Sequence, residues 1–297
     1  MPIIVSMLGI AGYVRDLEYE EVRVLKALAR LMRDGESVDV ERIAISARMH
    51  TDRVSYALSR LNERGLVHRA GRGYHLIYPG LDVLALRELA DRGIIASIGR
   101  HIGVGKEADV LEAMDEHGRM LAVKFFRIGR ISFRDVARKR TLRDVHSWLL
   151  ISMESARREF QALRRLRAAG VSVPEAVALA RHALVMEYID GVRLVECSAL
   201  DDPEHVLEDV LENIRLAHTA GMVSADLSEY NILYDTNGRV WIIDWPQSID
   251  ARTHPNARTL LERDLKNILR FFRKRFGVEY DLNKAIVYVS MHPTPQP

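Results

Sequence analysis

Ser224-Ala-Asp226-Leu-Ser-Glu-Tyr-Asn231-Ile-Leu-Tyr234, followed by Arg239-Val-Trp-Ile-Ile-Asp244-Trp-Pro246, is the stretch on which the reading of this chain turns. Asp226 and Asn231 stand five residues apart on what reads as a tight loop entering a strand. Asp244 follows thirteen residues later, at the end of a second strand behind an apolar run. Two Asp and one Asn offer Mg²⁺ its oxygen ligands and leave room for water and phosphate, with Asn231 and Asp244 as the metal-binding pair. Asp226 is then placed to take a proton from an attacking nucleophile, or to orient it. A lone Asp at a turn is ordinarily a turn residue, so the weight lies in what surrounds these three.

Upstream, an amphipathic helix is expected from Pro203 to Ala220, closed by Gly221. Before it, Ala183-Leu-Val-Met186-Glu187-Tyr-Ile189-Asp-Gly191 reads as a strand breaking into a turn, where Met186, the Glu187 carbonyl and the Ile189 amide would meet adenine. Leu121-Ala-Val-Lys124-Phe-Phe126 is an apolar strand with one lysine inside it. A buried lysine is costly unless paired, and the partners that suit it are nucleotide phosphates and a helix carboxylate. The helix expected over 154–169 offers Glu154 and Glu159, and Glu159 is the better placed, beside Phe160 and Leu163. Ahead of the strand, Gly103-Val104-Gly105-Lys106-Glu-Ala108-Asp-Val110 is a glycine-rich turn whose backbone can approach phosphate. It is not a Walker loop, because no Gly-Lys-Ser/Thr is present. An ATP site is predicted on Gly103, Val104, Gly105, Lys106, Val110, Lys124, Glu159, Met186, Glu187 and Ile189.

Residues 1–80 form a different pattern. Val22, Leu25, Leu28, Ala29 and Met32 recur at helical spacing over 19–33. Shorter helices are expected over 39–49 and 51–64, the latter capped by His50 or Thr51 and ended at Gly65. Two short strands about Gly71-Arg72-Gly73 follow. Three helices and a hairpin make a winged helix-turn-helix, whose third helix presents Arg53 and Arg60, and whose wing carries Arg69 and Arg72, as nucleic-acid phosphate contacts. A protein-docking module is the competing reading. A linker helix is expected over 81–93, leaving 94–297 as the second domain, with lobes of about 94–187 and 190–297.

Composition narrows the class further. A single cysteine, Cys197, excludes a disulfide framework, and no Cys/His cluster suggests zinc. No apolar run approaches a membrane span, and the first residues lack a signal-peptide pattern, so a cytoplasmic, reduced protein is expected. The net charge of +2 says little, but its distribution is uneven. Arg127, Arg130, Arg134, Arg138, Lys139, Arg140 and Arg143 face only Asp135 within 127–143, and Arg270-Phe-Phe-Arg-Lys-Arg275 is a second basic cluster. Arg138, Lys139 and Arg140 are candidate nucleic-acid contacts on a loop near the ATP mouth.

Taken in order, these elements follow the sequence of a protein kinase. Gly103-Val-Gly-Lys-Glu-Ala-Asp-Val110, Asp226-Leu-Ser-Glu-Tyr-Asn-Ile-Leu233 and Ile243-Asp-Trp-Pro-Gln247 resemble the RIO family of atypical serine/threonine protein kinases, and the N-terminal module resembles its second subfamily. The resemblance covers nearly the whole chain. It implies an α+β protein, an N-terminal winged helix-turn-helix plus a trimmed bilobal protein-kinase-like domain with Mg-ATP between its lobes, Mn²⁺ being the alternative metal. It implies action on small ribosomal subunit precursors and their rRNA, with Asp244 as a candidate phosphoacceptor; a monomer is expected. The chain departs from the kinase pattern at Ala108, Ser224, Ala225 and Ser228, and no Ala-Pro-Glu follows Asp244. Three activities stay open: an ATPase switch on pre-ribosomes, a serine kinase acting on itself at Ser132 or on another protein, and a non-catalytic ATP-bound regulator of nucleic acid.

Overall fold

The computed structural model describes residues 7–32, 37–129 and 142–291. The chain divides into two compact units, 1–157 with 177–186, and 158–176 with 187–297.

In the first unit, helices α1 (Met7–Asp16), α2 (Tyr19–Leu31), α3 (Val40–Ala47) and α4 (Thr51–Glu63) precede the strands β2 (Val67–Ala70) and β3 (Gly73–Leu76). A two-residue strand β1 (Val38–Asp39) completes an antiparallel sheet of order β1-β3-β2, the wing. Val24, Leu25, Leu28, Ile43, Val54, Leu58 and Leu61 are buried, so the helical spacing of the sequence does become one core. Glu18 and Glu21 form a capping box at the start of α2, and His50 caps α4. The linker helix α5 (Tyr78–Asp91) begins three residues earlier than expected, with Pro79 in its first turn. Gly80 is required there: a Cβ would run into the Leu66 carbonyl oxygen.

The same unit continues into a five-stranded sheet of order β4-β5-β6-β8-β7, from β4 (Ser97–Val104), β5 (Ala108–Met114), β6 (Met120–Phe126), β7 (Ala176–Ala180) and β8 (Ala183–Glu187). The pairs β4–β5 and β5–β6 are antiparallel, and Lys124 stands opposite Val110. One apolar cluster runs from Leu25 and Leu58 through Leu84 and Leu89 to Leu111, Val123, Phe125 and Val185. The winged helix and this sheet therefore share a core. Helix α6 (Leu142–Ala168) starts twelve residues before the expected Glu154.

The second unit packs α7 (Pro203–Thr219), α8 (Ala257–Phe276) and α9 (Leu282–Ser290) around two small sheets. One has order β12-β11-β9, from β9 (Gly191–Arg193), β11 (Ile232–Asp235) and β12 (Val240–Ile242). The other pairs β10 (Met222–Val223) with β13 (Ile249–Asp250). Asp202 caps α7, and Gly277, at φ 74°, ends α8. Leu207, Val210, Leu211, Ile214, Leu265, Ile268, Phe272 and Val289 are buried. No described helix is long and apolar enough to cross a membrane.

Candidate active site

The loop between β10 and β11 is held by α8. Ala225 takes the left-handed conformation, φ 61°, which reverses the chain just before Asp226. The Asp264 carboxylate, 1% exposed, accepts from the Ala225 amide at 2.9 Å and the Leu227 amide at 3.3 Å, gripping both neighbours of Asp226. Arg263 donates to the Ala225 carbonyl and Asn267 Nδ2 to the Leu227 carbonyl at 3.4 Å. Leu227 is buried and Asp226 exposed, so the loop turns one side chain in and presents the next.

Asn231 Nδ2 donates to the Asp226 carbonyl at 2.9 Å, which leaves Oδ1 as the atom of that amide suited to a cation. The Ile243 amide donates to the Asn231 carbonyl at 2.9 Å, tying this loop to the segment that carries Asp244. Asp244 is itself left-handed, φ 70°. Next to it Trp245 is fully buried, its Nε1 donating to the Ile242 carbonyl at 3.1 Å and its amide to Glu159 Oε1 at 3.4 Å. Although Asp226 is exposed, partial desolvation of its carboxyl, and next the negative charge of Asp244, push it above its ordinary range, while Arg263 pulls it down. Two neighbouring carboxylates are a donor pair whose repulsion a divalent cation relieves. No group of three or more His, Cys, Asp or Glu side chains is placed to hold a metal among the described residues. Two carboxylates and an amide nonetheless fit Mg²⁺, which keeps waters and takes phosphate oxygens.

Glu159, 1% exposed, thus braces the Asp244 turn, a contact the sequence did not suggest. Lys124 is buried on β6, its ammonium 4.9 Å from the Phe126 ring centroid. The turn from Gly103 to Ala108 joins β4 to β5 and is closed by Gly105 N donating to Ala108 O at 2.8 Å. Neither Gly103 nor Gly105 is at positive φ; at Gly105 the demand is for space, since a Cβ would lie 3.3 Å from the Ala108 oxygen. Val104 and Lys106 are exposed and Val110 half-buried. Met186 is buried, whereas Glu187 and Ile189 are half-buried; the Glu187 amide donates to Glu175 O at 2.9 Å.

The residues expected to meet nucleic acid differ in how free they are. Arg60 pairs with Glu18 and Glu21, at 2.5 and 3.1 Å, and Arg53 with Glu20 at 2.8 Å. Arg69 and Arg72 are exposed on the wing. Arg138, Lys139, Arg140 and Ser132 lie outside the described residues.

Asp264 is the functional residue that reading the sequence missed. A signal was present: it occupies an apolar-stripe position of α8, among Leu261, Leu265 and Ile268, where a charge needs a reason.

A carboxylate loop followed by a second acidic turn, in a chain whose sheet carries a buried lysine, defines a protein-kinase-like phosphotransferase. Residues 109–285 match the RIO domain and residues 14–92 the Rio2 N-terminal domain. The RIO-type serine/threonine-protein kinase Rio2 of Methanocaldococcus jannaschii is 36% identical over 271 residues, covering 87% of this chain and 100% of that protein. The serine/threonine-protein kinase rio2 of Schizosaccharomyces pombe is 32% identical over 276 residues, 91% of this chain and 80% of that one. The Rio2 kinase of Chaetomium thermophilum, solved as an ADP/Mg²⁺-phosphoaspartate complex, matches with a TM-score of 0.84 at 32% identity over 95% of this chain and 90% of that one. The chain belongs to the RIO family of serine/threonine-protein kinases, with the N-terminal domain of the Rio2 branch.

Proposed function

We propose that this kinase binds Mg-ATP and passes the γ-phosphoryl group to Asp244, in a cycle that acts on small ribosomal subunit precursors. The observation that carries the reading is the clamped loop that sets Asp226 and Asn231 together and ties them to the Asp244 segment. Gly103, Val104, Gly105, Lys106, Val110 and Lys124 are the phosphate side of the site, and Met186, Glu187 and Ile189 the adenine side. Glu159 is assigned to Lys124 as well as to the Trp245 amide. Mg²⁺, or Mn²⁺ in its place, neutralises phosphate charge when bound through Asn231 and Asp244. An Asp244 oxygen forms a bond to the γ-phosphorus as the bond to the ADP oxygen breaks, giving an acyl phosphate that water then hydrolyses. Asp226 accepts the proton of that water, or of a serine hydroxyl where a protein is the acceptor. The relative solved with phosphoaspartate supports this assignment. Such a cycle would time release from the particle, as a monomer in the cytoplasm.

Purified protein given γ-labelled Mg-ATP, with and without precursor particles, tests it. Particle-stimulated free phosphate with a hydroxylamine-sensitive label on the protein is expected. Stable serine label, on Ser132 or on another protein, would make it a serine kinase instead, and no turnover would leave an ATP-bound regulator.

The winged helix and the basic loop around Arg138, Lys139 and Arg140 are assigned to rRNA. Arg53 and Arg60 hold acidic partners within the module, so Arg69 and Arg72 carry the phosphate contacts that remain. Replacing Arg69 and Arg72 by Ala should lower the slope of log affinity against log salt by about 1 for each phosphate left without its arginine. Arg60→Ala should leave that slope unchanged. Equal slopes in all three proteins would remove the wing from the interface.

A further inference from the structure

Four buried polar side chains meet where the linker helix crosses the end of β6. Asp82 of α5 holds Arg127 in a two-pronged pair, Oδ1 to Nη1 at 2.6 Å and Oδ2 to Nη2 at 3.0 Å. Arg127 Nε reaches Asp109 Oδ2 at 3.3 Å, and its guanidinium lies 5.1 Å from the Tyr78 ring centroid. His182, in the turn between β7 and β8, places Nε2 2.8 Å from Asp82 Oδ1 and 3.0 Å from Arg127 Nη1. Burial lowers the His182 pKa, so the ring is neutral, and its Nδ1 has no hydrogen-bond partner among the described residues. A bare lone pair is less costly to bury than an N–H, so Nε2 carries the proton and donates to Asp82.

One helical turn before Asp82, the Tyr78 hydroxyl donates to the Ile128 carbonyl at 2.9 Å and shares a 2.6 Å bond with Ser152 Oγ. Ser152, on α6, in turn accepts from the Ile128 amide at 3.1 Å. Residues 127 and 128 are therefore gripped from α5, α6 and β5 at once, with His182 of the β7–β8 turn bracing Asp82. Both ends of the grip bear on the phosphate side of the proposed site. Lys124 is on β6, three residues before Arg127, which directly follows that strand, and the Arg127 amide donates at 2.5 Å to the carbonyl of Glu107, at the foot of the glycine-rich turn. Asp109 follows that turn directly.

We propose that Tyr78 and Asp82 of the linker helix are positioning residues for nucleotide. They fix the end of β6 and the foot of the glycine-rich turn, so affinity for ATP depends on a helix outside the matched kinase domain. The proposal rests on Lys124 and the turn being the ATP-phosphate site. Neither residue is expected to touch ATP. Their effect should appear as weaker ground-state binding and unchanged chemistry.

The experiment uses the full chain carrying Tyr78→Phe, Asp82→Asn or, as a control, Lys124→Met. ATP affinity, KM, kcat and thermal midpoint are measured together. Tyr78→Phe removes one hydroxyl and keeps the ring packing, and should raise KM for ATP by about 3–10-fold with kcat held within about twofold. Asp82→Asn should raise it further, about 10–30-fold, since it breaks a charge-assisted pair. A fall in thermal midpoint with KM unchanged in both variants overturns the proposal and makes the cluster a folding element only. A Lys124→Met protein with wild-type ATP affinity would instead overturn the site on which the proposal stands.

Discussion

Replacing Asp226 by Asn should lower turnover about 10³-fold while Mg-ATP affinity stays within a few-fold of wild type. The two residues are nearly isosteric, and the loop is held by the backbone of Ala225, Asp226 and Leu227, not by the Asp226 side chain. The amide cannot accept a proton, and the loss of a general base commonly removes about 10²–10⁴-fold. The substitution would also remove a negative charge that partial desolvation, and next Asp244, disfavour at this position, so nucleotide binding need not suffer. Single-turnover and equilibrium binding measurements on the same preparation separate the two effects. Turnover within about tenfold of wild type would remove Asp226 from the chemistry.

The second large effect is expected at Asp264. Asp264→Ala leaves the Ala225 and Leu227 amides without their acceptor, at about 1–3 kcal/mol for each buried group. It also releases the residue between them, and a displacement of about 1 Å at a reacting group can cost about 10²-fold in rate. Turnover should therefore fall at least about 10²-fold, although Asp264 is placed to touch neither nucleotide nor acceptor.

Acidity gives an independent check. Burial pushes the Asp264 carboxyl up to about 6, against the opposing pull of the Leu227 amide, Arg263 and the Ala225 amide. The folded chain then holds a proton between about pH 4 and 6 that the unfolded chain has released. This group's contribution to stability is complete below about pH 4 and is lost as the pH rises through about 6. In Asp264→Asn that part of the pH dependence should disappear from equilibrium unfolding curves. An unchanged slope across this window would mean that the carboxyl titrates normally.

Much of this was legible because the relevant signals are periodic or local. The apolar spacing of 19–31 and the Gly71-Arg72-Gly73 turn give the winged helix without reference to anything distant. Asp226, Asn231 and Asp244 stand out because their spacing is short and they follow the glycine-rich turn and the lysine-bearing strand in the order of a protein kinase. The elements that escaped have no period to read. β1 is two residues long and exists only by pairing with β3, and α1 contains Gly9 and Gly12, poor helix formers. α5 starts at Tyr78 because Pro79 fits a first turn and Gly80 meets the Leu66 backbone, whereas Pro-Gly read alone marks a break. Asp82 and Arg127 are 45 residues apart, and Asp264 lies 37 and 39 from the amides it holds. Pairings of that range become visible only once the chain is folded.

The left-handed backbone at Ala225 and Asp244 has a consequence for how sequences of this kind can drift. A non-glycine residue in that region costs on the order of 1 kcal/mol. Glycine at 225 or asparagine at 244 would relax it, and the second would remove the carboxylate assigned to the phosphoryl group. Selection for heat resistance alone thus rewards the loss of the carboxylate proposed to take the phosphoryl group. A highly thermostable descendant of this chain should be assayed for turnover before its stability is taken as improvement.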